Sequence, residues 1–525
     1  METQDIIFVF IAVIFIFAVI RQVLYWSWLW QLKEYRLDRM RAHFQDIGAK
    51  SVFLALIGYL PLRHGRIPKF TLKSALIIFF SFLAGIAILL LAIQNFLPSA
   101  FSDFSEILSD KKFFTENKFL FIFLIIGYLA MTIIVFCFVA VLNGASAIFK
   151  KRTINKARVK MAKFPNLKVI GITGSYGKST TKEILAEILL KKFKTLKTPA
   201  NINTAIGIAQ LILDKLDESY EIFVVEMGAY KIGEIREICE IVKPKIGIIT
   251  GINEQHLALF GSLKNTVKAK FELFDCLTEN GLAILNIGDK NVQAGLEERK
   301  DAKASAKLYS VDAKSDVYAT DIAIKSQSVY FKLISGVDIF EFKVNLAGKH
   351  NISNALAAII AANQVGIGWE EISRILQRIR QLSHALKISP GPNGSDLFDD
   401  TYNSNPDGVL ADLDYLKNQK GRKVVVMSSL IELGSAGNQV HKKIGKEISK
   451  IARRLIFLDK YYFSDIESGI KENDDSGIEI KYGKNPKNAA EYMKEELRSG
   501  DKVLFIGRKA GKVLELLTRS TKAQG

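Results

Sequence analysis

A chain of 525 residues that is 49% apolar and 24% charged, with a formal net charge of +18, is long enough for two to four domains, each with its own core. Its three cysteines, Cys137, Cys239 and Cys276, are too scattered for a disulfide framework or a metal-ligand spacing, which suits a reducing cytoplasm. Residues 1–163 carry 20 Lys and Arg against 9 Asp and Glu, a net of +11, and the other 362 residues only +7. The latter hold no basic stripe interleaved with aromatics, so no nucleic-acid partner is expected.

Three apolar stretches in the first third reach the ~20 residues a bilayer crossing needs: 6–30, 75–97 and 119–142. A fourth, 51–62, is too short to span. Glu2 and Asp5 precede the first stretch, which argues against a signal peptide, and Tyr25, Trp26, Trp28 and Trp30 at its end suit a membrane–water interface. Segments 31–73 and 150–163 are strongly basic, while the loop between the second and third stretches is more acidic. The positive-inside rule then predicts a multi-pass cell-membrane protein with everything after Leu142 in the cytoplasm. Residues 150–163 read as a basic linker facing membrane lipid.

Beyond the linker the pattern changes. Leu167 to Thr173 is a short β-rich run, followed by Gly174-Ser175-Tyr176-Gly177-Lys178-Ser179-Thr180 and a helical stretch over 182–192. A strand, a glycine loop and a helix N-terminus make a phosphate cradle, with Lys178 as a point charge and the Ser179 hydroxyl within reach of Mg²⁺. The strict P-loop pattern wants one more glycine, where Ile172 stands. Further β-rich runs end in polar residues: 221–225 at Glu226, 245–250 before Asn253 and His256, and 282–285 at Asn286. Alternating strands and helices predict a parallel α/β sheet with ligands at the carboxyl ends of its strands. A β-rich insert is expected over 306–345.

Five blocks in order resemble the Mur ligases of peptidoglycan synthesis: TGSYGKST (173–180), TPANINTAIG (198–207), EMGA (226–229) with His256 and AKFE (269–272), GKHNISNALAA (348–358) and DDTYNSNPDG (399–408). The last, with IELG (431–434) and His441, is most similar to the MurF type, which adds D-alanyl-D-alanine. Singly, each residue has a structural reading as a cap, turn or surface group; the ordered set points to chemistry. The resemblance covers roughly 165–525. It implies an α/β fold: N-terminal transmembrane helices (1–163), a P-loop parallel-sheet central domain (164–382) and a Rossmann-like C-terminal domain (383–525).

The resemblance also implies an activity. ATP phosphorylates a carboxylate, and an amine attacks the acyl phosphate to form an amide. Gly174, Ser175, Gly177, Lys178, Ser179 and Thr180 would hold phosphates, Asn351 and Asn354 adenine, and Asp400 the ribose. Ser179, Glu226, His256 and Lys270 would hold Mg²⁺, Lys270 as a carbamate. Lys178, Glu226, His256 and Lys270 form the expected catalytic set, and Asn201, Asn203, Tyr402, Asn403 and Asn405 face the substrates. The expected partners are a nucleotide- or lipid-linked carboxylate acceptor, an amino acid or dipeptide, and other cell-wall synthesis proteins.

The sequence departs from the family in places. Ala385 stands where an Arg is usual, Ser428-Ser429-Leu430 replaces Gly-Asp-Met, and Ile506-Gly507-Arg508-Lys509 replaces a Lys-Gly-Ser-Arg block. Membrane helices replace the soluble uridine-nucleotide-binding domain, which suggests an acceptor presented at the membrane. Two other readings stay open: a ligase of another polymer such as poly-γ-glutamate, and a degenerate scaffold or nucleotide sensor.

Overall fold

A computed structural model describes residues 3–56, 67–96, 118–278, 280–299, 305–311, 313–325, 328–346, 348–379, 386–401, 404–473, 477–483 and 485–522. The chain divides into two compact units, Met1–Arg152 and Thr153–Gly525.

The first unit is helical: α1 (Thr3–Leu32), α2 (Leu37–Leu56), α3 (Leu72–Phe96) and most of α4 (Lys118–Met161). Three of these helices are long and apolar enough to cross a membrane, by length and composition only. Gly85 lets α3 approach α1, because a Cβ there would lie 2.7 Å from Val19. Gln22 donates to Thr132 Oγ1 at 2.7 Å. The aromatic cluster does not form an exposed belt. Tyr25, Trp26 and Trp30 are buried, since Gln22, Trp26 and Trp30 recur at i, i+4, i+8 on one helix face. The rings of Trp26 and Trp30 lie edge-on to Phe136, at 5.4 and 4.8 Å.

The expected basic linker is instead the end of α4. Its residues Ile154 and Ala157, three apart on one face, are buried in the second unit's core. Lys160 donates to the Leu213 carbonyl at 2.9 Å, and Arg158 pairs with Glu240 at 2.5 Å. A helix continues here because the segment lacks Gly and Pro and buries an apolar edge.

In the second unit, the first lobe runs β1 (Lys168–Thr173), α5 (Lys178–Leu189), β2 (Thr195–Lys197), α6 (Ala205–Lys215), β3 (Ile222–Glu226), α7 (Glu234–Val242), β4 (Ile246–Ile249), α8 (Leu257–Phe260), α9 (Leu263–Asp275), β5 (Leu282–Asn286), α10 (Lys290–Glu297) and β6 (Ser305–Ser310). The β-rich insert is a meander of β7 (Val317–Lys325), β8 (Ser328–Ser335) and β9 (Asp338–Val344), followed by α11 (His350–Gln364) and α12 (Trp369–Arg378). Sheet order is β2-β3-β1-β4-β5-β6-β7-β8-β9, parallel through β7 and antiparallel beyond.

The run KVIGIT is apolar on both faces because both are covered. Ile170 and Ile172 pack in one core with residues of α5 and α11, and Val169 in another with residues of α6 and α7. After β1 the chain passes to one side for β2 and β3, then to the other for β4. This topological switch opens a crevice at the carboxyl end of β1.

The second lobe has β10 (Lys387–Pro390), β11 (Asp396–Asp400), α13 (Pro406–Lys417), β12 (Lys423–Met427), α14 (Gly437–Ser449), β13 (Arg454–Phe457), α15 (Phe463–Lys471), β14 (Glu479–Tyr482), α16 (Pro486–Glu496), β15 (Lys502–Ile506) and α17 (Arg508–Lys522). Its sheet order is β10-β11-β15-β12-β13-β14, parallel except for the β10–β11 hairpin. The two parallel sheets carry the expected α/β fold.

Candidate active site

The glycine loop 174–177 joins β1 to α5 at the switch point. Gly177 has φ 77°, and a Cβ there would lie 2.2 Å from Asn354 Oδ1. Only glycine satisfies both the left-handed backbone and that approach. The loop is held from neighbouring strands: Ser175 N–H donates to the Gly251 carbonyl at 2.7 Å, Asn253 N–H to Ser175 Oγ at 3.1 Å, and the Tyr176 hydroxyl to Asp289 at 2.7 Å. Lys178 Nζ curls over the loop, donating to the carbonyls of Gly174 at 2.7 Å and Ser175 at 3.1 Å. Burial lowers its pKa, against the opposing pull of Glu226. Ser179 and Thr180 follow, half-buried, in the first turn of α5.

Glu226 ends β3 in register with Ile172 of β1, which brings it beside the loop. Its carboxylate takes Lys182 Nζ at 3.1 Å and Asn203 Nδ2 at 3.3 Å, and Ser179 also hydrogen-bonds it. Burial alone would raise the Glu226 carboxyl, but Lys182, Lys178 and these hydrogen bonds hold it below the usual carboxylate range. Asn203 is fixed by its carbonyl, which accepts from Gly228 N–H at 2.8 Å; Asn201, at φ 66°, is exposed.

His256 and Lys270 both feel the charge of Lys178. Lys270 is buried on α9, and burial together with the Lys178 charge pushes its ammonium down to about 7. Its Nζ is 5.7 Å from the Phe260 ring centroid. Burial also lowers the pKa of His256, with Glu432 opposing. His256 Nδ1 hydrogen-bonds Glu432 of the second lobe, and the His256 ring meets the Tyr230 ring edge-on at 4.7 Å. Among the described residues, no three His, Cys, Asp or Glu side chains are gathered as a ready-made metal site.

Asn351 and Asn354 stand in the first turns of α11, joined by a 3.1 Å hydrogen bond, with Asn354 above Gly177. Asn405 caps α13 and accepts from Asn253 Nδ2 at 3.3 Å, and Asp407 accepts from the same amide at 2.7 Å. Asp400, at the end of β11, is engaged within its own lobe. Burial pushes its carboxyl up to about 7, and it hydrogen-bonds Asp412, which burial and Asp400 raise well above the usual range. Tyr402, Asn403 and Ala385 lie outside the described residues.

Sequence reading missed Lys182 and Asp412, and it named Asn253 only as a strand-end polar residue and Asp407 and Glu432 only as members of motif blocks. The first was within reach, because a residue four places after Lys178 shares its helix face. The others depend on how distant segments meet.

Residues 172–362 match the Mur ligase middle domain, and residues 386–509 the Mur ligase, glutamate ligase domain. The UDP-N-acetylmuramoyl-tripeptide--D-alanyl-D-alanine ligase of Buchnera aphidicola subsp. Acyrthosiphon pisum is 32% identical over 361 residues, 68% of this chain and 75% of that one. The chain belongs to the Mur ligase family. The ligase of the same name from Bacillus subtilis is 28% identical over 352 residues, 67% of this chain and 75% of that one. The crystal structure of MurF from Acinetobacter baumannii superposes with a TM-score of 0.64 at 27% identity, over 71% of this chain and 80% of that one.

This Mur ligase is a MurF-like, ATP-dependent enzyme. Mur ligases use ATP and Mg²⁺. Neither the poly-γ-glutamate reading nor the non-catalytic scaffold finds support among the relatives. The relatives also overturn the multi-pass membrane placement: MurF enzymes are soluble and cytoplasmic, and the apolar helices qualify as spans by length and composition alone. The lipid contacts and lipid-linked acceptor expected from the sequence rested on that placement, and the relatives lend them no support.

Proposed function

We propose that this chain joins D-alanyl-D-alanine to the carboxylate of a UDP-linked muropeptide, with residues 1–163 as an N-terminal helical region, 164–382 as the ATP-binding domain and 383–525 as the domain that engages the amine. The carrying observation is the gathering of Lys178, Ser179 and Glu226 around the glycine loop at the switch point, where Glu226 accepts from Lys182 and Asn203 and the Lys178 charge reaches His256 and Lys270.

The loop fits a triphosphate. Its glycine backbone leaves the space a Cβ would fill, α5 presents its N-terminus, and Lys178 needs only to swing off the two carbonyls it now bonds. Glu226 is ionised and, with Ser179, offers the oxygen ligands Mg²⁺ prefers. An Mg²⁺ ion held there would supply the neutralisation of phosphate charge that an anionic acceptor carboxylate requires. His256 and Lys270 would hold a second ion, Lys270 as a carbamate. A neutral amine is what reacts with CO₂, and burial beside Lys178 supplies one near pH 7. Asn351 and Asn354 would meet adenine and Asp400 the ribose. Asn201, Asn203 and Asn405 would face the substrates.

In the reaction the acceptor carboxylate oxygen attacks the γ-phosphorus and ADP leaves. The dipeptide amine then attacks the acyl carbon and expels phosphate. Positioning and charge neutralisation supply most of the acceleration. The test is phosphate release by purified protein given ATP, the UDP-linked tripeptide and D-alanyl-D-alanine. Release that requires all three is expected; release indifferent to the dipeptide would overturn the substrate assignment.

A further inference from the structure

Lys182 is wholly buried, yet it is a lysine. Side chains of this type are almost never fully buried unless paired. Lys182 makes a 3.1 Å contact with Glu226 and a 3.5 Å contact with Glu183, and Glu183 in turn takes Lys197 at 2.5 Å. Four alternating charges therefore run from the end of β2 to Glu226. Lys197 immediately precedes the segment carrying Asn201 and Asn203, and Thr198 closes the circuit by accepting from Glu226 N–H at 3.0 Å. A buried ion pair stabilises a fold poorly against apolar residues of the same volume. What such a pair does well is fix a carboxylate in one orientation.

We propose that Lys182 is a positioning residue that aims the Glu226 carboxylate at the phosphate loop. This rests on the reading of Glu226 given above. Lys182 approaches from the core side through α5, and Asn203 holds the other oxygen. The carboxylate is thus gripped at both oxygens before any ligand arrives. Lys178, one turn earlier on α5, stays available to the phosphates while Lys182 holds the acid.

The test compares Lys182→Met, Lys182→Arg and Lys178→Ala with the parent. Three quantities are read: kcat for phosphate release, Mn²⁺ binding by electron paramagnetic resonance with ADP present, and metal-free affinity for a fluorescent ADP. Lys182→Met is expected to lower kcat about a hundredfold, the scale on which a 1 Å misplacement acts. It should also weaken Mn²⁺ binding about tenfold, as loss of a group that orients a metal ligand does, with metal-free ADP affinity unchanged. Lys182→Arg, which keeps the cation, should recover much of both losses. A folded Lys182→Met with normal kcat and Mn²⁺ binding overturns the proposal. So does a lowered melting temperature with both unchanged, which is a structural role alone. If Lys182→Met does not fold, Lys182→Gln carries the test, and unfolding of both also assigns Lys182 to stability. Lys178→Ala separates the layers. If it turns over ATP at the parent rate, the reading of the site itself fails, whatever Lys182 does.

Discussion

His256, after β4, and Glu432, after β12, are hydrogen-bonded across the two lobes of the catalytic unit, and both backbones are left-handed, at φ 61° and 65°. Ala258 N–H donates to the Glu432 carbonyl at 3.2 Å, so side chain and backbone act together. Because the carboxylate favours the charged imidazole while burial opposes it, Glu432→Gln is expected to lower the pKa of His256 further. Histidine NMR titration reads this directly, and an unmoved titration would show that Glu432 does not govern the ring.

Lys178→Ala is expected to reduce ATP turnover by at least about a hundredfold while leaving the fold intact, since it removes the cation that faces the phosphates. Circular dichroism checks the fold and phosphate release the rate. Near-normal turnover would place the chemistry elsewhere.

Lys270 offers a second handle. With its ammonium pushed down to about 7, the neutral amine is abundant at pH 8 and scarce below pH 6. Incubation with ¹³C-bicarbonate should give a carbamate resonance at the higher pH that is lost in Lys270→Ala. That variant should lose activity, and small carboxylates should partly restore it. An identical spectrum from parent and variant would rule the carbamate out.

Gly177→Ala should weaken nucleotide binding more than it affects folding. The new Cβ meets Asn354 at the mouth of the cradle and the backbone must stay at φ 77°. Fluorescent-ADP titration measures it, and parent-like affinity would mean that the loop rearranges freely.

His441 predicts an acid limb in stability. Leu430 N–H donates to its Nε2 at 3.0 Å, and Nδ1 bonds the Gly437 carbonyl at 2.7 Å. The ring is therefore neutral with its proton on Nδ1, and it stacks on Tyr462 at 4.0 Å. Burial pushes its pKa down to about 4, below the ~6.5 of an unfolded histidine. Its contribution is complete above pH 6.5 and is lost as pH falls toward 4, on the order of 3 kcal/mol. Urea denaturation from pH 8 to 4 should show the decline, and His441→Gln should flatten its share.

The chemistry-bearing segments were legible in the sequence because their signals are local. A β-rich run into Gly-x-x-Gly-Lys-Ser fixes a strand, a phosphate loop and a helix within about fifteen residues, and alternating apolar runs and helices announce parallel sheets. The meander at 317–344 was legible for the same reason. Local signals also misled: a run of lysines read as a linker, although Ile154 and Ala157 make it a helix with a buried edge. Tertiary structure alone decided that Glu226 meets Lys182, because β3 lies beside β1 and not beside β4. It alone decided that His256 reaches Glu432, 176 residues away. Such contacts follow from strand order and lobe approach, which are set by the burial of whole faces and are written in no single stretch of chain.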